Sequence, residues 1–244
     1  MYTKEAYNSL LKSTVQNIDI SDEMFEAAEK TYKDLGKWID QETPDYEISI
    51  YPQGSFALGT VVRPITNADD YDLDIVCQFK SQYGLTAKEL KVYVVKPLLV
   101  RYKKTSREIE EKKRCWHVEY DDVPNFHIDV IPAHTYGNVI RITDHNEDDD
   151  TYDYLGSNPA GYVKWFFDAC AKQRNRLYEQ YIKEHRTVVA QADVEDVKRR
   201  KVKTPLQRVV QILKRHRDIK FADDNSGNKP ISIIITTIAG RLYE

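Results

Sequence analysis

Two periodicities divide this chain. Between Asp22 and Asp40 the apolar residues Met24, Phe25, Ala28, Tyr32, Leu35 and Ile39 keep the three- and four-residue spacing of one helix face. Ser21-Asp22 supplies the start signal for that helix, and a further helix is expected over residues 4–17. Alternation then takes over. Tyr46 to Tyr51 reads as a strand leading to Gly54, and Tyr71 to Phe79 as a second strand. In that second strand Tyr71, Leu73 and Ile75 share one face and Asp72 and Asp74 the other. Thr86 opens a helix to about Tyr102, with Leu90, Val94, Leu98 and Val100 partly inward. Cys115–Tyr120 and Phe126–Ile131 read as strands around the turn Asp121–Asn125, and Val139–Ile142 as a short addition.

Helical spacing returns in the second half. Residues 160–186 carry the stripe Tyr162, Trp165, Phe166, Ala169 and Leu177. Asp193–Lys203 is a charged helix start or linker. Residues 205–218 form an amphipathic basic helix with Pro205 in its first turn, and the apolar segment Pro230–Tyr243 is expected to be helical despite its β-branched run. The pattern predicts two parts: an α+β lobe over 1–150 and a helical lobe over 151–244, with a ligand cleft where the two meet.

The chemistry concentrates in the first part. Asp72 and Asp74 point the same way, and Asp129 has the same relation to Phe126, Ile128 and Val130 on its own strand. Three carboxylates on one surface are costly unless a cation neutralises them. Hard oxygen donors suit Mg²⁺, with Mn²⁺ as the alternative. Upstream, Gln53-Gly54-Ser55 opens a short helix. Gly54 lets backbone approach a phosphate, and Ser55 caps the helix or donates its hydroxyl to that phosphate. Taken singly, an Asp-x-Asp pair is a common feature of exposed strand faces and a Gly-Ser pair is usually a turn. In this order, with apolar alternation around each acid, they spell metal-dependent nucleotidyl transfer.

These residues also carry a resemblance. Gly-Ser-Phe-Ala-Leu-Gly-Thr-Val-Val-Arg-Pro-Ile from Gly54, followed by Asp-Tyr-Asp-Leu-Asp-Ile-Val-Cys from Asp70, is similar to the polymerase-β-like nucleotidyltransferases. The longer string resembles their bacterial cGAS/DncV-like branch, the CD-NTases. Thr204 to Asp218 and Lys229 to Thr237 extend the likeness. The resemblance implies a polymerase-β-like α+β lobe with a mixed sheet, packed against a helical lobe, and further helices beyond Glu244. It also implies that two Mg²⁺ ions bind Asp72, Asp74 and Asp129, and that Asp129 helps deprotonate the acceptor hydroxyl. Gln53, Gly54 and Ser55 would meet the donor phosphates, and Lys214 and Ser232 the triphosphate tail. The activity implied is synthesis of a cyclic di- or oligonucleotide signal in anti-phage (CBASS) defence. A tRNA or antibiotic nucleotidyltransferase, and an inactive nucleotide-binding scaffold, are the alternatives. Other candidates stay open: Arg63 orients substrate or bridges to the acidic loop, Ser232 is also an N-cap candidate, His127 tunes Asp129 or serves structure, and His216 reads as a surface residue.

Composition narrows the partners. The net charge of −3 argues against obligatory nucleic-acid binding. The basic excess lies in Val197–Lys220, with ten Lys/Arg against one Asp, and suits a triphosphate instead. Asp144–Asp153, with six acids, reads as a solvated loop. Cys77, Cys115 and Cys170 are scattered, which argues against disulfides or a zinc site and fits a reducing compartment. No signal-peptide pattern opens the chain, and the apolar run Ile231–Ala239 is too short to span a bilayer. A cytoplasmic enzyme is therefore expected, one that takes nucleoside triphosphates and needs neither membrane nor nucleic acid. A defence-system regulator and an effector reached through the product complete the expected partners.

Overall fold

A computed structural model describes residues 3–66, 70–80, 84–102, 109–120, 126–184, 202–224 and 226–243. The expected turn 121–125 and most of the charged stretch 193–203 lie outside them. The chain divides into two compact units, one of residues 21–56 and 64–160, the other of 1–20, 57–63 and 161–244. The division differs from a boundary at residue 150. That position lies inside a strand hairpin, and the first helix groups with the C-terminal helices.

In the sheet-bearing unit, α2 (Asp22–Glu42) starts where Ser21 Oγ accepts from the Met24 N–H, and it buries Ala28, Leu35 and Ile39. The strands are β1 (Ile48–Pro52), β2 (Tyr71–Phe79), β3 (Glu110–Glu111), β4 (Trp116–Glu119), β5 (Phe126–Tyr136), β6 (Val139–Asn146) and β7 (Thr151–Ser157). Among the described residues they form one mixed sheet in the order β1-β2-β5-β4-β3, with β6 pairing β5 and β7. β5 organises it. One edge of β5 pairs in parallel with β2 along the whole of β2. The other edge is shared, antiparallel, by β4 and β6.

One sheet face is the core: Tyr71, Leu73, Ile75, Phe126, Ile128 and Val130 are buried. α2 covers it, with Gly36 set against the Ile50 side chain and the Tyr71 hydroxyl donating to the Met24 carbonyl at 3.0 Å. The opposite face carries carboxylates only at the start of β2. Val76 joins a small cluster with Ala133 and Ile140, and Gln78 beyond it bonds Tyr51 and Thr135.

Three local expectations change. The helix opened by Thr86 is capped as expected, with Thr86 N–H and hydroxyl both donating to Glu89. It then runs as a π-helical stretch, Glu89–Val95, before α4 (Lys96–Arg101). The wider turn shifts the phase: Val95 and Leu99 are buried. Val100, expected inward, is exposed. The acidic stretch is a loop only in its middle: Glu147–Asp150 form an exposed turn, while the residues on either side belong to β6 and β7, which pair from Ile140↔Ser157 to Asn146↔Thr151. Two of its acids have close partners, Asp144 with Arg114 at 2.7 Å and Asp150 with His145 at 3.0 Å. β5 also extends to Tyr136, beyond the expected end at Ile131.

The helical unit holds α1 (Lys4–Ile18), α5 (Pro159–Ala169, all but its first two residues), α6 (Ala171–Glu184), α7 (Pro205–Lys220) and α8 (Ser232–Arg241). Its core joins Leu58, Phe166, Cys170, Leu206 and Val210. α7 begins with a reciprocal capping box between Thr204 and Gln207. The β-branched run of α8 is helical, and Gly240 within it lies where a β-carbon would meet the Trp165 ring at 2.7 Å. Among the described residues no helix is long and apolar enough to cross a membrane.

Candidate active site

The three aspartates meet on the polar face of the sheet. Parallel pairing of β2 with β5 sets Asp74 directly beside Asp129 and Asp72 beside His127. Paired residues share a face and neighbouring strands lie about 4.8 Å apart, so Asp72, Asp74 and Asp129 form one carboxylate surface. β4 extends it, because His117 lies opposite Asp129 and Glu119 opposite His127. His117 Nδ1 is 3.0 Å from Asp129 Oδ1, and the two imidazole rings are 4.2 Å apart between centroids. The His127 side chain comes within 3.8 Å of Asp70.

The turn before the short helix α3 (Gly54–Leu58) leans on this surface. The Gln53 N–H donates to the Asp74 carbonyl at 2.8 Å. Gly54 has φ of +59°, and a β-carbon there would lie 2.2 Å from Asp74 Oδ2. Glycine at this position is therefore set by the Asp74 carboxylate as well as by the backbone angle. Ser55 follows in α3, and Phe56 anchors the turn by stacking on Phe25 at 4.5 Å. So Gln53, Gly54 and Asp74 form one contact group, with Asp72 and Asp129 beside it.

The donor set fits a hard dication: three carboxylates share one face, and oxygen ligands of this kind suit Mg²⁺. Two neighbours went unnoticed in the sequence. His117 becomes part of the site only through the β4–β5 register, which no local pattern reveals. Cys115 also lies against it. Burial, then the nearby Asp129 and Asp74 charges, raises its thiol far above the ordinary range.

In the helical unit, α7 spends its polar face on the backbone of residues 58–63. Gln207 donates to the Leu58 carbonyl at 2.8 Å, Gln211 to Val61 at 2.7 Å and Lys214 to Thr60 at 3.1 Å, while Arg215 reaches the Arg63 carbonyl. Lys214 is 5% exposed. Arg63 bonds the Asp19 carbonyl at 3.0 Å, so it ties down the end of α1 and not the acidic stretch. Ser232 is the first residue of α8 and Ile231 its cap, so its hydroxyl does not cap the helix. That hydroxyl accepts instead from Arg217 at 2.9 Å, a residue the sequence did not single out. His216 is exposed, as expected.

Residues 48–132 match the family described as Cyclic GMP-AMP synthase DncV-like, nucleotidyltransferase domain. A c-di-GMP synthase of Roseivirga ehrenbergii is 36% identical over 225 residues, covering 87% of this chain and 54% of that protein. The cyclic dinucleotide synthase CdnG of Bradyrhizobium diazoefficiens is 25% identical over 255 residues, covering 96% of this chain and 58% of that protein. The chain thus spans a little over half the length of these curated relatives. The structure of the Bradyrhizobium CdnG in complex with GTP superposes with a TM-score of 0.72 at 22% identity, covering 96% of this chain and 70% of that one. The fold is accordingly that of the polymerase-β-like nucleotidyltransferases, a mixed sheet with helices, as the resemblance implied.

Proposed function

This chain belongs to the DncV-like, or CD-NTase, family of nucleotidyltransferases, and on that premise we propose that it is the catalytic part of a Mg²⁺-dependent synthase joining two nucleoside triphosphates into a cyclic dinucleotide. The observation that carries this reading is the in-register pairing of Asp74 with Asp129, with Asp72 one step along the same face. A binding scaffold needs no such set of facing carboxylates, whereas attack of a sugar hydroxyl on an α-phosphate does.

Asp72 and Asp74 would hold both ions and Asp129 one of them. Bound there, Mg²⁺ offsets the carboxylate charge and lowers the pKa of the acceptor hydroxyl. The chain's own groups do the rest. Asp129 accepts the hydroxyl proton at its carboxylate, and His117, 3.0 Å from that carboxylate, keeps it oriented. The new bond forms between the hydroxyl oxygen and the α-phosphorus, and pyrophosphate departs. Gln53, Gly54 and Ser55 meet the donor phosphates at the turn packed on Asp74, and Lys214 and Ser232 serve the triphosphate tail.

Guanine is the base we assign, since one relative is named a c-di-GMP synthase and the similar CdnG structure holds GTP. The biological setting proposed is CBASS anti-phage defence, with a regulatory protein upstream, an effector reached through the product, and no obligatory nucleic acid. Incubating the protein with Mg²⁺ and the four nucleoside triphosphates tests the reading. A phosphatase-resistant product and pyrophosphate, formed without added acceptor, support it. Product appearing only with added tRNA or a small alcohol would assign a different transferase.

A further inference from the structure

We propose that His117, His127 and Asp129 form a binding site for a divalent transition metal of the Zn²⁺ or Co²⁺ class, at the β4–β5 side of the carboxylate surface. Each of the three offers a ligand atom, and these atoms lie within 4.8 Å of one another. Strand geometry builds the group. His127 precedes Asp129 by two residues on β5 and so shares its face, and the register of β4 brings His117 across from Asp129. Donors held about 2.0–2.2 Å from one ion sit roughly 3–3.5 Å apart when adjacent. The separation of His117 Nδ1 and Asp129 Oδ1, 3.0 Å, is already of that size.

Two features set this apart from a hydrogen-bonded pair that merely orients Asp129. His127 makes no hydrogen bond to Asp129 among the described residues, and its Nδ1 is shielded from solvent without a hydrogen-bond partner, an Asp70 carboxylate oxygen lying 3.8 Å away. An imidazole so placed carries an unmet polar atom that a packing role does not require. Its ring also stands 4.2 Å from that of His117, close enough for one ion to reach a nitrogen of each. Imidazole nitrogen selects Zn²⁺ or Co²⁺, while Mg²⁺ prefers the all-oxygen side formed by Asp72 and Asp74. The scattered cysteines argued against a zinc site, but this one uses none of them.

The inference concerns the folded sheet alone and stands whether or not the protein makes a cyclic dinucleotide. The test is calorimetric titration of Zn²⁺ into metal-stripped protein without nucleotide, alongside Co²⁺ titration followed by visible absorption. His117→Ala and His127→Ala should each weaken Zn²⁺ binding at least about 10-fold, the lower end of what even an outer-sphere partner contributes. Both should lose the intense visible band of nitrogen-ligated, low-coordinate Co²⁺. Asp72→Asn should keep Zn²⁺ affinity and the Co²⁺ band. Unchanged thermal unfolding of each metal-free variant shows that it is folded, and His127→Gln supplies a second variant where Ala disturbs the sheet. Wild-type Zn²⁺ affinity in the folded histidine variants would overturn the assignment, as would equal loss in Asp72→Asn or no Zn²⁺ binding by the wild-type protein.

Discussion

Gly54 and Asp74 occupy each other's space: the β-carbon that any other residue would bring to position 54 falls 2.2 Å from Asp74 Oδ2. The turn and the first carboxylate pair are therefore one unit. Gly54→Ala should cost roughly 1–2 kcal/mol for the left-handed backbone alone, with more from displacing Asp74 or the turn. Product formation should fall far more than stability does, because the carboxylate that moves is the one paired with Asp129. Initial rates beside a urea unfolding curve check this, and a stable Gly54→Ala protein with the wild-type rate would contradict it.

The ladder between α7 and residues 58–63 predicts a stability effect. Gln211→Leu keeps the volume but strips the Val61 carbonyl of a donor held at 2.7 Å in a buried setting. An unsatisfied buried carbonyl costs about 1–3 kcal/mol. Val209→Ala, on the exposed side of the same helix, should stay within about 0.5 kcal/mol of wild type. Urea midpoints of the two variants decide the matter, and equal midpoints would dismiss the ladder as incidental.

Lys214 has one role in view and another proposed. It donates to the Thr60 carbonyl at 3.1 Å, and the family likeness adds contact with the triphosphate. A lost charge-assisted hydrogen bond is worth about 1.5–3 kcal/mol, or roughly 10- to 150-fold in affinity. Titrating the folded Lys214→Ala protein with a non-hydrolysable triphosphate and Mg²⁺ should show that loss. Lower stability with wild-type nucleotide affinity would leave Lys214 a structural role and no part in nucleotide binding.

Alkaline pH gives a separate handle on the core face. Burial pushes the Tyr71 phenol from 10.0 up to about 12. A pKa raised on folding means stability that is complete below the unfolded value and lost above it. Above pH 10 the unfolded chain ionises this tyrosine while the folded one resists, so stability should decline between pH 10 and about 12. Cys77, raised from 9.0 to about 12 by burial, acts in the same direction from a lower starting point. Tyr71→Phe should flatten the decline in unfolding midpoint across that window, and an unaltered slope would remove Tyr71 as a cause.

What the sequence disclosed follows from the range over which its signals act. The bounds of β2, the caps at Ser21 and Thr86 and the common face of Asp72 and Asp74 are set by residues a few positions apart, so local pattern suffices. β7 was missed because its residues Thr151–Ser157 alternate too weakly to stand out inside an acidic stretch. Val100 stands two positions from the buried Leu98 within α4, about 200° around an α-helix, so it faces away from the core. His117, Cys115 and the α7 ladder depend on pairings between distant segments. Lys214, expected from the resemblance to meet the triphosphate tail, is buried and bonds a backbone carbonyl 154 residues away.

Pairing of Asp74 with Asp129 is the centre of the account, and Asp74→Asn tests it most directly. The measurement is pyrophosphate release and cyclic product from Mg²⁺ and nucleoside triphosphates by wild-type protein and by the folded variant, with product mass determined. The account predicts a phosphatase-resistant cyclic dinucleotide from the wild type and none from Asp74→Asn, whose unfolding midpoint should match or exceed the wild-type value as like-charge repulsion is relieved. Product at the wild-type rate from folded Asp74→Asn would contradict it.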